Sequence, residues 1–305
     1  MTRTKRSSQA VDLIGVPVDF GANQRGVGMA PTAFRLAGLK EKAAAEGFLL
    51  RDLGDIPAPA GKWRSGPENL APIRKVCERL AALTAGSLRE DRRPLVVGGD
   101  HSIAIGTIAG AARHFRTRKQ KMGLLWVDAH GDMNTPSTSP SGNIHGMPLA
   151  ISLGEGYPEL VNLLRFAPKL EAARCALVGI RNLDQEEKDN IARFGVKVFT
   201  MKDIDRRGLT VVMEEAIQTA AQGSEGMHVS FDMDVVDPTV APGVGTAVPG
   251  GLSYREAHLV MELIFDSGAM TSLEMVEANP IIDVCNSTAS LGVELILSAL
   301  GKSIY

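Results

Sequence analysis

Cysteine is nearly absent from this sequence: Cys77, Cys175 and Cys285 are far apart, odd in number and in no Cys-x-x-Cys pair. That excludes a disulfide-stapled scaffold, which is small and cysteine-dense, and predicts reduced, mostly buried thiols. A basic excess is missing as well, since 33 Lys+Arg stand against 35 Asp+Glu for a formal charge of -2, and nucleic acid is not an expected partner. No apolar run approaches the roughly 18 residues of a membrane span. The basic, polar stretch Met1 to Ala10 lacks the apolar core of a signal peptide, so a flexible tail on a cytoplasmic protein is expected. Internal repeats, low-complexity tracts, composition breaks and long linkers are also lacking, which predicts a single domain over residues 1–305.

What is present is a core and an alternation. Apolar residues make up 44% and charged residues 22%, ordinary for a globular chain. Apolar, β-branched runs recur at Val11 to Val16, Phe48 to Leu53, Pro94 to Val97, Met122 to Val127, Cys175 to Gly179, Val196 to Phe199, Met227 to Phe231 and Met270 to Val276. Helical patterns lie between most of them, at Thr32 to Gly47, Leu70 to Ala85, Ser102 to Phe115, Leu209 to Ala221, Ser253 to Ser267 and Ser287 to Leu300. Such alternation predicts an α/β fold with one parallel sheet and helices on both faces. Continuously apolar strands agree with it, because parallel strands are covered on both sides. Four polar or Gly/Pro-rich segments stand out: Pro57 to Asn69, Thr135 to Gly146, Asn182 to Asp189 and Asp237 to Leu252. All but the first follow the C-terminal end of a predicted strand, where open α/β sheets bind ligands.

Three of these strand ends carry metal-type side chains. Trp126-Val127-Asp128-Ala129-His130-Gly131-Asp132 places Asp128, His130 and Asp132 at alternate positions, which in extended backbone share one face. Ser230-Phe231-Asp232-Met233-Asp234 repeats the device with two carboxylates, and Gly98-Gly99-Asp100-His101 ends a third strand with a histidine. Singly each is weak, for Asp and His at a strand end often cap helices or form turns. Jointly they give six ligands, more than one ion needs, and four carboxylates whose charge balances two divalent cations. A carboxylate-rich set with imidazole and no thiolate favours Mn2+ or a similar hard ion. Two ions about 3.5–4 Å apart can lower the pKa of a bridging water and present hydroxide to an electrophilic carbon. His228 and Ser230 share the parity of Asp232 and Asp234 and are expected to support the ligands by hydrogen bonds. His114 and His258, on predicted helices, are expected to be structural.

Gly98-Gly99-Asp100-His101-Ser102, Asp128-Ala129-His130-Gly131-Asp132, Ser141-Gly142-Asn143-Ile144-His145-Gly146, Ser230-Phe231-Asp232-Met233-Asp234 and Glu277-Ala278-Asn279-Pro280 together resemble the ureohydrolases, most closely the bacterial arginases. The resemblance spans nearly the whole chain. It implies a three-layer α/β/α fold with an eight-stranded parallel sheet, two Mn2+ per subunit, a homo-oligomer (trimer or hexamer), and hydrolysis of L-arginine to L-ornithine and urea.

Carried over by motif position, His101, Asp128, His130, Asp132, Asp232 and Asp234 correspond to the manganese ligands, with Asp232 and Asp128 bridging. Glu277 corresponds to the acid that pairs with the substrate guanidinium, and His145 to the proton shuttle. Asn134, Ser141 and Asn143 correspond to groups that bind the substrate α-carboxylate, and Asp184 and Glu187 to those addressing its α-amino group. Thr246 is expected to line the same pocket, and His130 to border substrate as well as metal. Asp128, His145 and Glu277 are thus the expected catalytic set. Two departures bear on specificity. Val235 stands where many arginases carry Gly, and its parity predicts that it points away from the ligands. Ala278 replaces a common Val beside Glu277. The alternatives are another ureohydrolase, an agmatinase or guanidino-acid hydrolase, and a catalytically silent metal-binding module on the same fold.

Overall fold

In the computed structural model, residues 10–22, 24–58 and 66–303 are described. The expected tail falls outside them except for Ala10, which is already strand. Eight strands form: β1 (Ala10–Val16), β2 (Leu49–Asp55), β3 (Arg93–Gly98), β4 (Met122–Val127), β5 (Cys175–Ile180), β6 (Lys197–Thr200), β7 (Gly226–Asp232) and β8 (Met270–Val276). They make one sheet in the order β2-β1-β3-β8-β7-β4-β5-β6. Every neighbouring pair is parallel.

Strand alternation divides the apolar side chains between two cores. Leu125 and Val127 on β4, Val229 and Phe231 on β7 and Leu273 and Met275 on β8 join one core with the helices Leu209–Ala221, Tyr254–Ser267 and Ser287–Ala299. Leu124 and Trp126 face the opposite way, onto the helix Ala104–Thr117. Ile14 and Val96 on that same side lie under the helix Leu70–Arg89. Each fully buried aliphatic side chain contributes roughly 1.5–3 kcal/mol, so both faces must be covered, and the result is the expected helix-sheet-helix layering. No helix among the described residues is long and apolar enough to cross a membrane.

The sheet order sets the position of the site. The first three strands make one side of the sheet and β4, β5 and β6 the other, and β8 and β7 enter between them, so β3, β8, β7 and β4 sit side by side at the centre. Their C-terminal ends open a crevice where the order reverses, the place where such sheets take ligands. His101, Glu277, Asp234 and Asp128 all follow these four strands.

Several local features differ from the sequence expectation. Thr32 to Gly47 is two helices, Ala30–Leu36 and Leu39–Ala45, because Gly38 takes a left-handed φ of 81° that stops the first. Ser102 to Phe115 begins as a 3-10 turn, His101–Ile103, before the α-helix Ala104–Thr117. Asn182 to Asp189 is only partly loop, since a helix starts at Gln185. Pro57 to Asn69 does follow a strand end, that of β2, and its described part returns at Asn69, whose side chain donates to the Phe20 carbonyl. β2 is an edge strand and largely exposed; its Asp52 and Asp55 are bound by Arg35 rather than buried. Cys77 and Cys175 are free and buried, whereas Cys285 is free and exposed.

Candidate metal centre

The last ladder bond of β4 is donated by Asp128 N–H to the Val178 carbonyl, 3.0 Å. Beyond it the strand ends, so pleat alternation is not what gathers Asp128, His130 and Asp132. The chain bends instead. Arg181 and Asn182 both donate to the Ala129 carbonyl, and Asp132 adopts a left-handed φ of 49°. Gly131 permits the bend, because a Cβ there would lie 2.8 Å from Leu183 Cδ2. Asp232 similarly accepts the Asp234 N–H at 2.8 Å and turns the chain into the 3-10 turn Met233–Val235. Turns rather than an extended face bring the residues named from the sequence together.

The six expected ligands do converge. His101 Nδ1 lies 3.1 Å from one oxygen each of Asp128, Asp132 and Asp232. His130 Nδ1 lies 3.0 Å from Asp234 and 3.6 Å from Asp128. Two metal-competent clusters result, His101/Asp128/Asp232 and Asp128/His130/Asp234, sharing Asp128. The His101 ring stacks on Trp126 at 4.0 Å between centroids and 8° between planes. The Trp126 indole N–H donates to Asp128 Oδ2 at 2.9 Å and the His130 backbone N–H to Asp128 Oδ1 at 2.6 Å.

This set fits a pair of divalent cations. His101 Nδ1 is buried and makes no hydrogen bond among the described residues, while three carboxylate oxygens face it. Oxygen-rich donors with two imidazoles and no sulfur suit Mn2+. Without cations, the charges are accommodated by protons. Burial disfavours a charged His130, but Asp234 and Asp128 outweigh it and hold the ring protonated up to about 12. Burial and the neighbouring Asp128 push Asp132 up to about 6. Burial and the other carboxylates also raise Asp232 and Asp234, while Asp128, facing two histidines, ends below the ordinary range despite its burial.

A pH dependence follows, with opposite signs for the two forms. In metal-free protein, Asp132 binds its proton more tightly folded than unfolded, so its contribution to stability appears as pH falls through about 6. His130, raised, contributes fully below its unfolded value and loses that contribution only as pH rises through about 12. Metal binding requires these protons to leave, so affinity falls with pH. The rise in Tm produced by Mn2+ should therefore be greatest at pH 8 and shrink steadily toward pH 5. Thermal melts of EDTA-treated and Mn2+-loaded protein across that range check it; a constant increment would contradict the assignment.

A cavity of about 140 Å3 opens over these groups, and Asn134, Ser141, His145, Glu187, Thr246 and Glu277 are on its wall with most of the ligands. Glu277 accepts the His101 backbone N–H at 2.9 Å and faces His145 Nδ1 at 3.0 Å. Burial works against a charged His145, but Glu277, Asp100 and Asp132 overcome it and bring the ring up to about 9. Thr246 donates its hydroxyl to Asp234 at 2.9 Å.

Two expected substrate groups are not on the wall. Asn143 is buried behind it. Asp184 caps the helix Gln185–Phe194, accepting the Glu187 N–H at 2.8 Å, and spends its other oxygen on the Asn134 side-chain amide at 2.9 Å. Asp184 is thus joined to Asn134 on the cavity wall. Glu187 completes the capping box and still lines the cavity. Val235 is buried in the core against Gly179, away from the ligands as its parity predicts, and Ala278 is buried in the same core. His114 contacts Arg118 and His258 contacts Ser298, both outside the site.

Other residues of the site were not singled out. Ser139 and Pro140 complete the wall. Arg181 donates to the Asp234, Val235 and Val248 carbonyls and so ties down the segment after β7; nothing in its local sequence signals this. Trp126 is legible, being two residues before Asp128 on the same strand parity. Glu274 is legible too, because a carboxylate in the middle of a buried strand is rarely without purpose.

A model of the arginase family matches residues 9–301. The arginase of Bacillus subtilis (strain 168) is 48% identical over 298 residues, 97% of this chain and 99% of its own length. That of Bacillus caldovelox is 46% identical over 299 residues, covering 96% and 99%. The crystal structure of the Bacillus cereus arginase superposes with a TM-score of 0.92 at 47% identity, over 97% of this chain and 100% of that one.

Proposed function

Because the chain belongs to the arginase family, we propose that it is a dimanganese hydrolase that converts L-arginine and water to L-ornithine and urea. The observation that carries this reading is the pair of clusters joined at Asp128, with His101 Nδ1 aimed at three carboxylate oxygens and no other partner. His101, Asp128, Asp132 and Asp232 would hold one ion, and Asp128, His130, Asp232 and Asp234 the other. When bound, such a pair lowers the pKa of coordinated water and supplies hydroxide near neutral pH.

The remaining chemistry belongs to the chain. Glu277 takes the guanidinium, a planar charged fork that a carboxylate matches with two hydrogen bonds. His145, raised to about 9, is protonated at neutral pH and stands beside Glu277, where it can deliver a proton to the departing amine. Asn134, Ser141 and Glu187 read the amino-acid end from the wall, and Thr246 steadies Asp234. All ligands come from one sheet, which supports a single catalytic domain over 1–305, and the family likeness supports a cytoplasmic trimer or hexamer.

Urea release from arginine, agmatine and 4-guanidinobutyrate with Mn2+ tests the substrate. Arginine should be preferred, and a preference for agmatine, which has no carboxylate, would overturn the reading. A guanidino acid of another length is the second reading, favoured by the engagement of both Asp184 oxygens, one by the Glu187 N–H and one by the Asn134 side-chain amide. Glu187 separates the two. Burial first, and then Asp132, raise its carboxyl to about 7, and it accepts the Met133 and Asp184 N–H groups. Glu187→Gln should raise the arginine KM about tenfold or more, the worth of one charged hydrogen bond, with little change in kcat. Turnover of 4-guanidinobutyrate, which has no amino group, should be unaffected. Equal losses for both substrates would remove Glu187 from amino-group recognition.

A further inference from the structure

Behind His101, on the side of its ring away from the carboxylates, polar side chains continue into the middle of the sheet. The β7–β8 register sets His228 opposite Ser272 and Ser230 opposite Glu274, so all four share one face. Each is fully buried. Groups this polar in a sheet interior are retained only with partners, and here the partners form a directed chain.

His101 Nε2 lies 2.7 Å from Ser230 Oγ. Ser230 Oγ in turn donates to Glu274 Oε1 at 2.8 Å. A hydroxyl has one proton, and an ionised carboxylate can only accept. With that proton committed to Glu274, Ser230 Oγ is left as an acceptor toward His101, so Nε2 must carry the hydrogen. In the neutral ring, the form that can ligate a metal, the lone pair is then on Nδ1, the atom that faces Asp128, Asp132 and Asp232. Glu274 Oε1 also lies 3.2 Å from His228 Nε2, a close contact without hydrogen-bond geometry, and His228 Nδ1 is 2.8 Å from Ser272 Oγ. Among the described residues the other ring of the two clusters, that of His130, has no link to this chain; its Nδ1 faces Asp234 and Asp128.

We propose that Glu274 is a positioning residue for one half of the metal centre: through Ser230 it fixes His101 with its lone pair on Nδ1, and so governs how firmly the ion on the His101 side is retained. This rests on reading the two clusters as a metal pair. The asymmetry is its signature. Loss of Glu274 should loosen one ion and spare the other, whereas a merely structural defect would loosen both.

Glu274→Gln removes the obligate acceptor while keeping the shape, because the amide can donate to Ser230 and let its hydroxyl turn toward His101. Ser230→Ala breaks the link by a smaller change and keeps the question open to test should Glu274→Gln fold poorly. The experiment times Mn2+ release from the loaded proteins into EDTA. Wild type should hold two ions, and in either variant one should leave about tenfold faster or more while the other keeps its rate. Wild-type release from both variants, or equal acceleration of both ions, would overturn the assignment of Glu274 while leaving the metal pair intact. A wild-type protein that holds no Mn2+ would overturn the metal pair itself, and this inference with it.

Discussion

Asp128→Asn should give a folded protein that holds fewer than two Mn2+ and releases urea at least about a thousandfold more slowly, a barrier increase of about 4 kcal/mol. The size follows from where this carboxylate stands. It belongs to both clusters, so a single change weakens both. It also cannot be replaced by an amide without a mismatch. Oδ2 accepts the Trp126 indole N–H and Oδ1 the His130 backbone N–H. Whichever way the amide turns, its NH2 meets an N–H donor, and a buried donor left without an acceptor costs about 1–3 kcal/mol. Metal analysis beside the urea assay checks the prediction. Two bound ions with full activity would remove Asp128 from the centre. The metal-free variant adds a second readout: one fewer carboxylate lies beside Asp132, Asp232 and Asp234, all of which Asp128 helps to raise, so their proton affinities should fall.

The ligand types and their strand ends are plain in the sequence, and so is the parallel sheet, because both depend on short-range pattern. Why the ligands converge is not. Asp128, His130 and Asp132 look like three teeth of one extended face, yet the chain leaves the strand at Asp128 and is folded back by the left-handed Asp132 and by contacts to Leu183 and Arg181, some fifty residues on. Such turns are decided by distant partners, which alternation cannot supply. Asp184 shows the same limit. Spacing alone leaves it either a helix cap or a substrate group; it does cap the helix, and its second oxygen holds the Asn134 side-chain amide, a distant partner that spacing does not reveal. Parity within a strand fares better: it placed Ser230 beside His101, since inside a strand the alternation has no freedom to fail.

Glu277→Gln should separate substrate binding from metal binding, leaving two Mn2+ in place while kcat/KM for arginine falls at least about a hundredfold, or about 3 kcal/mol, as expected when one partner of a buried ion pair is removed. The amide oxygen can still accept the His101 backbone N–H, so the strand end is kept. The left-handed φ of 62° at this position is backbone geometry that either side chain must adopt. What disappears is the negative charge. Burial alone would neutralise Glu277, but His145, the His101 N–H and the charge of His101 hold its carboxyl below the ordinary value. The same pairing supports His145 in turn, for Glu277 is the largest influence raising that ring to about 9. In Glu277→Gln the His145 pKa should therefore drop, and any limb of the pH-rate profile that reports its protonated form should move to lower pH. Arriving guanidinium competes for the same carboxylate. It would weaken the hold of Glu277 on His145 at the moment a proton donor is needed, so substrate binding and proton delivery meet at one oxygen atom. A variant with intact metal, a hundredfold loss and an unmoved pH limb would keep Glu277 as the guanidinium partner but detach it from the protonation of His145. Undiminished turnover would remove it from the site altogether.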